Sequence, residues 1–271
     1  MISSYKYNPK LYFLSTFVVT YILWFTGAYL SFSSTYSGIY MLIMLPGLMA
    51  PFIISTILIA KSKNNELKKD FINRLFNLKL INLKTIPVVF LLMPAVILLS
   101  ILLSIPFGGS ISQFQFSGGF SFSTDFVPVL FLLLLAATFE ELGWRGYAFD
   151  SLQSRYSLFK ASILFGIFWS LWHFPLIFVN NSYQYEIFNQ SIWYGLNFFL
   201  SILPMGIIIT WMCLKNRKSI ILAIIFHFLI NLNQELLAIT QDTKIIETGV
   251  LFLVAAAIIL YDKKMFFEKL G

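Results

Sequence analysis

Apolar runs of about twenty residues, each closed by a short polar stretch, set the rhythm of this chain. They fall at 11–30, 39–60, 85–105, 126–150, 159–179, 191–213, 219–238 and 245–261. A helix of that length rises ~1.5 Å per residue and can cross a hydrocarbon core of ~30 Å. The pattern predicts an all-α polytopic integral membrane protein, about eight transmembrane helices forming one domain over 1–271. The first run is too long for the apolar region of a cleaved signal and reads as an anchoring span. Between the second and third runs, Leu67, Phe71, Leu75 and Leu78 recur at helical spacing against Lys68, Lys69, Asp70 and Arg74. That spacing predicts an interfacial amphipathic helix over 64–79, lying in the cytoplasmic headgroup plane. The Gly-, Ser- and Phe-rich loop from Phe107 to Thr124 offers no evident chemistry.

Composition agrees with this architecture. Of 271 residues, 58% are apolar and only 11% charged, and a mean hydropathy of +0.80 excludes a soluble globular domain. The net charge of +7 could suggest nucleic acid, but the basic residues are distributed as a membrane topology would require. Of the 19 lysines and arginines, 17 fall on alternate connections, and the opposite loops hold only Lys244. Basic residues favour the cytoplasmic side, so both termini are expected inside, as an even number of spans demands. The lone Cys213 rules out an internal disulfide and sits in an apolar run, where it reads as core.

One stretch breaks the apolar pattern. Phe139-Glu140-Glu141-Leu142-Gly143-Trp144-Arg145-Gly146 places two carboxylates and a guanidinium at the end of an otherwise lipid-like run. Ionised groups are costly within a bilayer and usually mark functional sites. On a helix Glu141 and Arg145 are one turn apart and can pair. Glu140, about 100° around the axis, must be answered from other spans. The only two histidines also lie in predicted spans, His173 after Trp169-Ser170-Leu171-Trp172 and His227 four residues before Asn231. Singly, such residues read as interhelical hydrogen-bonding groups. Counted from the expected cytoplasmic ends, helical rise puts Glu140, Asn231, His173 and His227 within one layer ~10 Å thick, consistent with a common site over the helices of 126–238. Glu235 continues the His227 and Asn231 stripe and reads as a structural pairing residue.

Glu140-Glu141-x-x-x-Arg145, an aromatic four residues before His173, and His227-x-x-x-Asn231, in that order, resemble the CAAX-processing and bacteriocin-processing family of intramembrane proteases, and within it the Ras-converting type II CAAX prenyl endopeptidases. The motifs cover roughly 139–231; the first half of the chain matches only in hydropathy. Many members carry Phe where this chain has Trp169, a departure expected to affect packing alone. The resemblance implies a multi-pass protein of the cell membrane, with an active site within the bilayer reached from the cytoplasm. It also implies removal of the last three residues from prenylated CAAX proteins, with membrane lipid around the site and no nucleic acid partner.

Peptide hydrolysis needs an activated water, an oxyanion donor and a proton for the leaving amine. Consistent with the family, Glu140 and His173 are expected to hold and deprotonate the water, while His227 and Asn231 donate to the oxyanion. Glu141 and Arg145 would support them, orienting the helix or meeting the polar end of the substrate. No metal or other cofactor is implied. The nearest rival is a zinc site formed by Glu140, His173 and His227, although the chain lacks His-Glu-x-x-His and Asn231 would then be unexplained. A rival of another class is a scaffold or transporter using the same polar groups to join helices or bind an ion.

Overall fold

The computed structural model describes residues 5–36, 39–120 and 128–268. The expected start of the fourth span at 126–127, the loop residues 121–124 and Lys269 lie outside these. The described chain is all-α. Its elements are α1 (Pro9–Ser31), α2 (Ile39–Lys61), α3 (Asn65–Phe76), α4 (Ile86–Ser104), α5 (Val129–Gly143), α6 (Phe149–Gln153), α7 (Leu158–Trp172), α8 (Tyr183–Gln190), α9 (Ile192–Lys215), α10 (Ile220–Leu236), α11 (Gln241–Tyr261) and α12 (Lys263–Phe267). The described residues contain no strand, only a bridge between Phe116 and Leu237 that ties the Gly-rich loop to the end of α10.

Among the described residues six segments are long and apolar enough to cross a membrane: Pro9–Ser31, Ile39–Lys61, Leu83–Phe107, Leu158–Phe178, Ile192–Lys215 and Gln241–Tyr261. The other two expected spans take different forms. Ile220–Leu236 is a shorter apolar helix, and the run bearing Glu140 is broken between α5 and α6 by a π-helical turn, Trp144–Ala148. The chain is a multi-pass α-helical membrane protein.

Proline and its neighbours explain how the first two helices are joined. Pro51 lies inside α2 and has no N–H, so the carbonyl of Gly47, four residues back, loses its helical donor. The Thr20 hydroxyl of α1 donates to that carbonyl at 2.9 Å, and the Trp172 indole donates to Thr20 in turn at 2.9 Å. The end of α7 is thereby fixed to α1. Further in, α5 packs between α2 and α10, α9 between α7 and α11, and α4 closes the bundle against α10 and α11. Small residues permit the closest approaches. A Cβ on Gly143 would fall 2.4 Å from the Pro51 backbone, and one on Gly166 3.2 Å from Leu203 of α9.

The amphipathic helix is present as α3, with Asn64 capping its N-terminus through the Leu67 N–H at 2.9 Å. Its polar face is not wholly turned to headgroups as expected. The helix ends at Phe76, short of the expected 79, so Leu78, expected on the apolar face, falls in a following 3-10 turn and is exposed; Arg74 points inward with Leu67 and Phe71 and is only 2% exposed. The reason is electrostatic: Arg74 has two carboxylate partners, Asp70 one turn back at 2.8 Å and Asp150 of α6 at 2.9 Å. Burial alone would lower the pKa of the Arg74 guanidinium, but Asp150 and Asp70 more than offset this and raise it.

Candidate active site

Glu140, Glu141, Arg145, His173 and His227 come together, and Asn231 stands one helical turn beyond His227. Glu140 and Glu141 end α5, just before the π turn. His173 caps α7 where a 3-10 turn containing Pro175 follows, and His227 and Asn231 lie one turn apart on α10.

Glu140 is buried and is met by two indoles rather than by a charge. Trp169 of α7 donates to Oε2 at 2.7 Å and Trp144, four residues on along its own chain, donates to the same oxygen at 3.2 Å. The other oxygen, Oε1, has no hydrogen-bond partner among the described residues. Trp169 is therefore more than packing here, because its indole supplies a donor that a Phe in its place would not. Its carbonyl also accepts from His173 Nδ1 at 2.8 Å. Its ring stands edge-on to His227 with centroids 5.2 Å apart, and 6.2 Å from that of His173. One residue thus links the acid to both imidazoles, and Glu140 lies within electrostatic reach of each.

Glu141 faces another way, as the 100° offset requires. It is 0% exposed, accepting from Arg145 Nε at 2.8 Å through Oε2 and from His227 Nδ1 at 3.0 Å through Oε1. Arg145 also donates to Thr210 of α9 at 2.8 Å and lies over the Phe165 ring, 4.4 Å from its centroid. The expected Glu141–Arg145 pair is present. The pair is buried, and its extension to His227 was not foreseen.

The two histidines have parallel arrangements. A carbonyl and a carboxylate both accept, so each Nδ1 carries the proton and each Nε2 is left without a hydrogen-bond partner among the described residues. Half-buried Asn231 has no side-chain hydrogen-bond partner among the described residues. Glu140, His173 and His227 are the rival zinc set; among the described residues no group of three His, Cys, Asp or Glu side chains is placed to hold a metal ion. Both Trp donors already engage the Glu140 carboxylate.

The roles of Trp169, expected to affect packing alone, of Arg74, expected on the polar face of its helix, and of Trp144 and Thr210 emerge only from these contacts. Helical spacing signals two of them, Trp144 four residues from Glu140 and Trp169 four from His173.

A buried carboxylate, bracketed by indole donors and set beside two imidazoles whose Nε2 atoms have no partner among the described residues, forms a polar centre inside the helical bundle. Residues 122–233, which hold this centre, match the family model for type II CAAX prenyl endopeptidases, Rce1-like. That segment, 112 of the 271 residues, is similar to the Rce1-like family, a family of CAAX prenyl proteases.

Proposed function

We propose that the protein is an intramembrane endopeptidase that removes the C-terminal tripeptide from prenylated CAAX proteins. In this reading Glu140 activates a water, no metal is required, and the substrate is met on the cytoplasmic side of the cell membrane. The observation that carries the reading is the distribution of unused hydrogen-bonding capacity. Each group assigned to chemistry keeps one position open: Glu140 Oε1, the Nε2 of His173 and His227, and the Asn231 amide.

The chemistry follows from those open positions. Neutral His173, its Nδ1 proton held by the Trp169 carbonyl, offers a lone pair to one hydrogen of the water while Glu140 Oε1 takes the other. The water oxygen attacks the scissile carbonyl, and Glu140 passes the proton it gained to the departing amine. Nε2 of His227 can donate to the oxyanion only if the ring is an imidazolium. The local charge set accommodates this: Glu140, Glu141, Arg145 and His227 then sum to zero, the condition a poorly solvated site favours. Asn231 supplies the second donor. An aliphatic prenyl chain would remain in lipid while the peptide reaches the centre.

The test is cleavage of a farnesylated CAAX peptide by purified protein, with product identified by mass. Wild type is expected to release the tripeptide in excess chelator, and Glu140→Gln to be folded and inactive. Activity retained by Glu140→Gln, or activity lost on chelation and restored by zinc, would overturn the mechanism.

A further inference from the structure

The π-helical turn Trp144–Ala148 stands between the acids of α5 and Asp150 of α6. It is a wide turn, in which the Phe149 N–H reaches back five residues to the Trp144 carbonyl. One inserted residue offsets everything after it by about 100° relative to a continuous α-helix. A turn of this kind needs something to keep it from closing. Arg74 of α3 meets it from inside: Nη1 donates to the Arg145 carbonyl within the turn at 3.2 Å and to Asp150 Oδ2 beyond it at 2.9 Å. Asp70 holds the guanidinium from behind, and Lys218, in the connection from α9 to α10, holds the other Asp150 oxygen at 2.7 Å.

We infer that Arg74 is a positioning residue for the peptidase centre: by bridging the Arg145 carbonyl and Asp150 it fixes the wide turn, and through that turn the Arg145–Glu141–His227 chain. Arg74 touches neither imidazole. Its action runs through a backbone carbonyl and then through the 2.8 Å and 3.0 Å contacts of Glu141. Charge-assisted bonds of this kind lie among the stronger ones. Their burial means that water cannot replace a missing donor.

The inference rests on the proposed protease reading for its kinetic consequence but not for its structural one. Because the chain has two histidines, protein labelled with [15N]histidine gives one set of ring signals for each. In Arg74→Met the Nδ1 signal of His227 should move while that of His173 stays, Arg74→Lys should recover part of the shift, and Lys69→Ala on the exposed side of α3 should change neither. With the farnesylated peptide, Arg74→Met should lose about tenfold in kcat with KM within about twofold, the pattern of an interaction needed in the transition state. If Arg74→Met does not fold, Asp150→Asn, which keeps the arginine but weakens its hold, carries the same two measurements. Unchanged His227 signals in folded variants, or equal movement of both histidines, would overturn the inference. A wild type that cleaves nothing would instead overturn the protease reading, and the resonance test would still decide the role of Arg74.

Discussion

Removing the charge of Glu141 should be more harmful than removing Glu141 and Arg145 together. Glu141 is 0% exposed and sits between a guanidinium at 2.8 Å and an imidazole at 3.0 Å. Glu141→Gln leaves Arg145, itself buried, with Thr210 and aromatic faces as its remaining partners. Breaking a buried pair from one side costs roughly 3–5 kcal/mol, while replacing the whole pair by apolar groups of similar volume is often nearly neutral. At about 2–4 °C per kcal/mol for a chain of this order of size, each of Glu141→Gln and Arg145→Met should melt on the order of 10 °C below wild type. The double variant should recover a substantial part of that loss. The protein carries its own reporter: Cys213 is the only cysteine and 5% exposed, so a thiol-reactive dye in detergent reads unfolding directly. Peptidase activity should separate from stability, because the double variant still lacks the carboxylate that orients His227. Additive losses in melting temperature, or a double variant as active as wild type, would refute the reasoning.

Other expected outcomes follow from the same geometry. Asn231→Ala should leave the melting temperature nearly unchanged, since the amide has no partner to lose among the described residues, yet reduce kcat by about 10²–10³, the usual cost of an oxyanion donor; an unaltered kcat would remove Asn231 from the mechanism. Trp169→Phe deletes the 2.7 Å bond to Glu140, of a type worth roughly 1.5–3 kcal/mol, and should slow cleavage more than Trp144→Phe, whose bond is 3.2 Å. Equal rates for the two variants would show that the indole N–H groups do not position the acid. Gly143→Ala sets a Cβ 2.4 Å from the Pro51 backbone, so α5 and α2 must separate, and dye reaction at Cys213 should show a loss of stability of about 1–3 kcal/mol, the usual range for overpacking. A melting temperature equal to wild type would mean that the contact yields freely.

Helical periodicity and hydropathy determined the class of fold, because a segment crossing lipid must satisfy its own backbone and so declares itself by length and apolarity alone. The same logic exposed Glu140, Glu141, Arg145, His173, His227 and Asn231: polar groups are so costly in such runs that each one present demands a reason. The pairing of Glu141 with Arg145 was also legible, since four residues along a helix is a local relation. What only the tertiary structure decided is which partner completes each group. That Glu141 continues to His227, and Glu140 to Trp169, depends on where α5, α7 and α10 approach one another. That Arg74 turns inward depends on Asp150, distant in sequence and brought round by a π turn that hydrophobic patterning does not signal. Patterning fixes which face of a helix avoids lipid; close approach at glycines and the satisfaction of buried charge fix which residues meet there.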